Sequence, residues 1–237
     1  MTNSANNIAV EWDQNVTCRA LELENKLDDS YFEIIMPTVL KHIKRHSFLN
    51  NKALDIGCGL GFLTNSLHEI GLDVCGIDIS LNSINYAKSR FKQIPFFNVE
   101  LGDFCKDKIA LYDIALAVMF FHNCTDLKNN LISIKKILKE NGLLIVFIPH
   151  PCFWYRRFEG ISYINPDNAV ENSYKVDFKI RKGQKHDSKV TYYHRTLETY
   201  INLIKSCGLK IVAFEETGND GKSKVDLLFM ILKNTAQ

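Results

Sequence analysis

The fold turns on ALDIGCGLGFLTNSL, residues 53–67. An apolar run, ALDI, meets three glycines, Gly57, Gly59 and Gly61, and then FLTNSL, a run compatible with a helix. Glycine costs backbone entropy, so a trio of them marks backbone that no side chain may obstruct. A strand turning through glycines into a helix belongs at the carboxyl edge of a doubly wound sheet. There, bare backbone and the free N–H groups of the helix N-terminus face a ligand. The competing reading is a tight turn that serves only the chain itself.

Outward from this stretch, short β-rich runs recur: ALDI, DVCGIDI, FFNVEL, DIALAVMF and GLLIVFI. Between them lie GFLTNSLHEIG, SLNSINYAKSRF and TDLKNNLISIKKILKENG, which read as helices. Ser80 and Thr125 are the expected N-caps of the last two, and Asn141-Gly142 the expected end of the third. Alternating strands and helices with apolar strands predict a parallel sheet covered on both faces. Residues 1–50 read as helical, with Pro37 in a first turn or at a kink. After residue 150 the rhythm breaks. YKVDFKI and KVTYY predict a hairpin, TLETYINLIKSCG a capped helix, and LKIVAFEE with KVDLLFMIL a second, antiparallel hairpin. The expectation is a single domain over 1–237. Helices over 1–50 contribute to a lid, 51–150 is a cofactor-binding half, 151–194 a substrate cap, and 195–237 a helix and strand hairpin.

The 237 residues, 46% of them apolar, can fill one large core. With 29 basic against 27 acidic side chains, charge gives no reason to expect nucleic acid as a partner. The apolar runs are too short to cross a bilayer, and MTNSANNIAV has no basic-then-apolar leader pattern. Seven scattered cysteines without a CxxC pair argue for reduced thiols in a cytoplasm and against a structural zinc site. No metal site is expected, no membrane partner is expected, and the oligomeric state stays open.

The dinucleotide fingerprint G-x-G-x-x-G has its third glycine five residues after the first; here the interval is four, and Phe62 stands in the fifth place. The arrangement Asp55-x-Gly57-x-Gly59-x-Gly61 instead resembles the first motif of class I S-adenosylmethionine-dependent methyltransferases. Asp78 ends the second strand, where a carboxylate can accept hydrogen bonds from ribose hydroxyls. Asp103 follows the third strand in LGDF, a position where that family commonly has an acid. The resemblance is close over about residues 50–150. It implies a doubly wound, mostly parallel seven-stranded α/β sheet with an antiparallel C-terminal hairpin and a cap insertion. It also implies that S-adenosyl-L-methionine is the cofactor and S-adenosyl-L-homocysteine the product. Asp55 and the Gly57–Gly61 loop would hold the methionine part, with Cys58 beside them. Asp78 and Ile79 would hold the ribose, Asp103 and Phe104 the adenine, and Met119 would border the reacting centre.

By the same resemblance, the ends of the fourth and fifth strands, AVMFFHNC and IPHPCFW, face the methyl group and its acceptor. Phe121, His122, His150, Phe153, Trp154, Tyr193 and His194 are the substrate-side candidates. His122, His150 and His194, unranked, are the candidates for a base or a positioning group. Alternation along the fourth strand requires that some of its aromatics face the core instead. The expected activity is methyl transfer to a small molecule on nitrogen or oxygen. The alternatives are a methyltransferase acting on tRNA or protein through a basic face at Arg156, Arg157, Arg181, Lys182 and Lys185, or a cofactor-binding module without turnover.

Overall fold

The computed structural model describes residues 3–45, 51–154, 171–177, 189–218 and 225–235. The chain opens with helix α1 (Asn3–Glu24), a π-helical turn at Ser30–Ile35, and α2 (Met36–Arg45), with Pro37 in its first turn. The alternating part follows: β1 (Lys52–Ile56), α3 (Phe62–Glu69), β2 (Asp73–Asp78), α4 (Leu81–Arg90), β3 (Phe96–Asn98), the short α5 (Leu101–Phe104), β4 (Tyr112–Val118), α6 (Leu127–Ile137) and β5 (Leu138–Pro149). A separate pair, β6 (Asn172–Asp177) and β7 (Lys189–His194), precedes α7 (Leu197–Ser206), β8 (Leu209–Thr217) and β9 (Leu227–Asn234).

Seven strands form one sheet in the order β3-β2-β1-β4-β5-β9-β8. Strands β1 to β5 pair in parallel, and β9 runs antiparallel between β5 and β8. Strand order reverses at β1, which pairs with both β2 and β4. The crevice for a ligand therefore opens beyond the ends of β1 and β4. The central strands are buried on both sides, and each face carries its own core. Leu127, Leu131 and Ile134 of α6 with Tyr200 and Ile204 of α7 cover one face. Val39 of α2, Leu63 and Leu67 of α3, and Ile84 of α4 cover the other. The doubly wound expectation stands, with both hairpins antiparallel. Residues 178–188, between β6 and β7, and 219–224, between β8 and β9 and including Gly221, lie outside those described.

Three local readings change. Asp126, not Thr125, caps α6, accepting from the Asn129 N–H at 3.0 Å. A carboxylate one residue nearer the first turn also complements the helix dipole. The same helix ends at Ile137 rather than at Asn141-Gly142, because β5 pairs with β4 from Leu138 onward across a bulge, and Asn141 takes a positive φ of 63° within it. The third β-rich run, FFNVEL, is a strand only over Phe96–Asn98, and LGDF after it is the helical turn α5.

Candidate active site

Each of the three glycines has its own reason. All have positive φ: 69° at Gly57, 52° at Gly59 and 80° at Gly61. A Cβ on Gly57 would come within 2.7 Å of the Phe120 ring, and one on Gly61 within 2.8 Å of Phe96. Gly61 is the N-cap of α3 and lets that helix sit on β3 and α4; it serves packing. Gly59 differs: a Cβ there would meet nothing within 4 Å, and the residue lines a cavity of about 320 Å³.

The cavity spans the switch point. Its floor and near wall are Asp55, Gly57, Cys58, Gly59, Asp78 and Ile79. Asp78 is fixed by two backbone donors, Gly59 N–H at 2.9 Å and Ser80 N–H at 2.8 Å, which shape the loop around it. Asp55 is 2% exposed and accepts from Thr64 Oγ1 at 2.7 Å. Burial pushes its carboxyl up to about 7, Thr64 opposes that shift and the Asp78 charge adds to it. Burial also raises Asp78, against the pull of its backbone donors. At the end of β4, Met119 holds a positive φ of 55° and lines the cavity, a strained non-glycine residue of the sort that gathers at functional sites.

A second wall comes from α1 and the turn after it. Arg19 faces the cavity and donates to Asp28 at 2.8 Å, with its guanidinium over the Tyr31 ring at 5.4 Å. The far wall combines Trp12 of α1, Phe120 and His122 after β4, and Val176, Val190 and Tyr192 of the β6–β7 pair. Helix α1 is tied across the opening. Glu11 accepts from Thr191 N–H at 2.6 Å and Thr191 Oγ1 at 2.9 Å and pairs with Lys175. Asp13 accepts from Ser80 Oγ at 2.6 Å and Asn82 N–H at 2.9 Å.

The other expected residues lie elsewhere. Gly61 does not line the cavity. Asp103 is turned outward by α5 and pairs with Lys106 at 2.6 Å, while Phe104 packs behind it between Phe97 and Tyr112. Glu100, with Val99 and Leu101, stands at the cavity in their place. The chain enters α5 at Leu101, so the acid just before the turn faces in and the one inside it faces out. Phe121 is 1% exposed and faces the core, because Phe121–Asn123 is a 3₁₀ turn that presents His122 and Asn123 to the cavity. His150 is pinned: Nε2 meets Glu216 at 2.8 Å, and Nδ1 accepts from the Cys152 N–H at 3.1 Å. Phe153 stacks on His150 at 4.8 Å. Trp154 stacks at 4.9 Å on the far side of Tyr192 and at 4.8 Å on His194, so both back the wall without lining it. Burial holds His194 below the usual histidine range, with Glu171 opposing, and its Nδ1 has no partner among the described residues. Tyr193 points the other way by strand alternation; Arg195 lies over its ring at 5.6 Å. The basic residues Arg156, Arg157, Arg181, Lys182 and Lys185 lie outside the described residues. Sequence reasoning missed Arg19, Trp12 and Glu100. Tyr192 belongs with Tyr193 to the aromatic load that the sequence places in the cap, and parity with Val190 on an alternating strand is what singles it out.

Six carboxyl side chains (Asp28, Asp55, Asp78, Glu100, Asp126 and Asp177) and one cation, Arg19, line the cavity among the described residues. Such a site opposes a pyrophosphate and favours a ligand of net positive charge. Among the described residues there is no metal-binding cluster, and no helix is long and apolar enough to cross a membrane.

Comparison with known proteins agrees with this geometry. Residues 54–146 match the model of a methyltransferase domain. A ubiquinone biosynthesis O-methyltransferase of Pelagibacter ubique is 30% identical over 142 residues, which covers 57% of this chain and 58% of that protein. The chain spans little more than half the length of the curated relatives it matches. Among solved structures, a SAM-dependent methyltransferase from Methanosarcina mazei superposes with a TM-score of 0.64 at 19% identity, covering 81% of this chain and 97% of that one. The Burkholderia thailandensis 1,6-didemethyltoxoflavin-N1-methyltransferase, solved with its substrate and S-adenosylhomocysteine, gives 0.60 at 17% identity, covering 93% and 91%.

Proposed function

We propose, on the premise that the chain is a class I S-adenosylmethionine-dependent methyltransferase by domain and by fold, that it transfers the methyl group of S-adenosyl-L-methionine to oxygen or nitrogen of a small, planar, partly apolar acceptor. One observation carries the reading: Gly59 opens onto a cavity ringed by carboxylates. The donor set fits a cofactor with hydroxyls, an amine and a sulfonium. Asp78 would hold the ribose hydroxyls, Glu100 and Leu101 would border the adenine, and Asp55, the glycine loop and Arg19 would hold the methionine end. When bound, the cofactor supplies an activated electrophilic methyl group.

The chain then has to orient the acceptor and exclude water. Trp12, Val176, Val190 and Tyr192 offer apolar and aromatic surface for a flat acceptor. Helix α1, fastened through Glu11 and Asp13, closes the space above it. His122, 6% exposed and 5.5 Å from the Tyr192 ring by centroids, is the one of the three candidate histidines that lines the cavity. A neutral imidazole there can take the proton of a hydroxyl or amine as methyl is transferred.

Calorimetry tests the cofactor part. The net charge of S-adenosylmethionine favours ionised Asp55. Its affinity should therefore rise as pH climbs from 5 through about 7, where Asp55 loses its proton, and then level off. The uncharged sulfur of S-adenosylhomocysteine should show a weaker trend, and Asp55→Asn should flatten both. Binding of neither compound at millimolar concentration would overturn the reading. Transfer of labelled methyl to a panel of a catechol, a phenol and a heteroaromatic amine tests the acceptor class.

A further inference from the structure

Between β4 and the N-cap of α6, the three-residue 3₁₀ turn Phe121–Asn123 is the only regular element. Four consecutive residues there, His122 to Thr125, line the cavity. Irregular backbone needs partners for its carbonyls, and where it carries a reacting side chain it also needs to be held in one place. A single side chain from a distant part of the sequence does both. Arg195, at the junction of β7 and α7, is 8% exposed. It donates from one terminal nitrogen to the Phe121 carbonyl at 3.1 Å, and from the other to the Cys124 carbonyl at 2.6 Å and the Thr125 carbonyl at 2.9 Å. These carbonyls bracket His122 and Asn123 on both sides. The residues before Arg195 are in the acceptor wall or directly behind it: Val190 and Tyr192 line the cavity, and His194 stacks on Trp154.

Burying a guanidinium costs several kcal/mol, and a buried charge is weak evidence for stability as such. An apolar side chain of similar volume could join the same elements without that cost. What it could not do is present a rigid planar fork to three carbonyls at once. We infer that Arg195 is a positioning residue for methyl transfer: it locks the Phe121–Thr125 segment to the β6–β7 wall and thereby fixes the His122 imidazole over the acceptor space. The inference rests on the proposed reaction for its consequence, but the placement of His122 is measurable without any acceptor.

The test uses the full chain and Arg195→Lys, which keeps the charge and gives donors from one point only. Arg195→Met serves as the charge-free variant. With histidine-labelled protein and S-adenosylhomocysteine present, imidazole NMR should show the His122 resonance shifted or broadened in Arg195→Lys. The His42 and His150 resonances should stay in place, and the cofactor-product dissociation constant should remain within about threefold. With catechol as the probe, kcat should fall by about tenfold or more, a loss of the kind that small misplacements cause. In a His122→Ala background, Arg195→Lys should add almost nothing. An unchanged His122 resonance in folded Arg195→Lys, or additive losses in the double variant, would overturn the positioning role. If catechol is not methylated by the native chain, the imidazole titration alone decides. Failure of the native chain to bind S-adenosylhomocysteine defeats the proposed reaction, whereas normal binding with an undisturbed His122 defeats only the role of Arg195.

Discussion

On one side of the cavity a single strand–helix–strand unit, Lys52–Asp78, supplies Asp55, the glycine loop and Asp78. On the other, Trp12, His122, Val176 and Tyr192 arrive from four separate segments and are held by contacts such as Glu11 to Thr191 and Arg195 to Phe121. The near side is local and its geometry is enforced by backbone. The far side is assembled by side chains across long sequence separations. A shared scaffold can therefore keep its cofactor site while the acceptor wall varies, because the two depend on different kinds of interaction.

That contrast can be broken most severely at the glycines. Gly61→Ala forces a side chain onto a positive φ and against Phe96, at a cost of about 2–4 kcal/mol. The expected drop in melting temperature is about 6–12 °C. Gly59→Ala carries only the backbone part, roughly 1–2 kcal/mol, yet should weaken S-adenosylhomocysteine binding more than Gly61→Ala does among folded molecules. Equal melting temperatures for the two variants would show that the glycines are not divided between packing and ligand.

His150 sharpens the contrast from the opposite direction. Its ring is 1% exposed and engaged at both nitrogens, so His150→Ala should lose about 2 kcal/mol of stability through a cavity and an abandoned hydrogen bond to Glu216. Calorimetry should find the cofactor-product affinity unchanged. A catalytic loss at unchanged stability would return His150 to the acceptor side. Next in size, Asp78→Ala should raise the dissociation constant of S-adenosylhomocysteine about tenfold, or about 1.4 kcal/mol, since it removes the proposed acceptors for the ribose and loosens Gly59. An unaltered constant would take Asp78 out of the site. The smallest effect is expected at Glu11→Gln, roughly 0.5–1 kcal/mol, seen as faster amide exchange in α1 with the sheet unaffected.

The sequence disclosed the near side because its signals are short-range. Asp55, three glycines and Asp78 sit in one β–α–β unit, and periodicity and punctuation report directly on such a unit. The far side gave weaker signals. Asp103 and Glu100 are three residues apart and both acidic, and the onset of α5 between them decides which faces in. Phe120 and Phe121 are adjacent, and a 3₁₀ turn rather than strand alternation sorts them. Arg19 lies in a helix of weak amphipathicity, where nothing in the local pattern marks it as cavity-facing. His150 and His194 share the residue type of His122, but only tertiary pairing separates a ring pinned or stacked behind the wall from one that lines the cavity.

The fastening of α1 also bears on the order in which the molecule is made. A chain emerges from synthesis N-terminus first. Helix α1 thus precedes its partners: Asp13 must wait for Ser80, and Glu11 for Thr191, 180 residues later. A contact of that span closes late, since its loop entropy must be overcome first. The nascent protein can complete its glycine loop and β2 while the helix that will cover them is still searching. The Glu11–Thr191 bond, of long sequence span, is the one that turns an open groove over the glycine loop into a covered one.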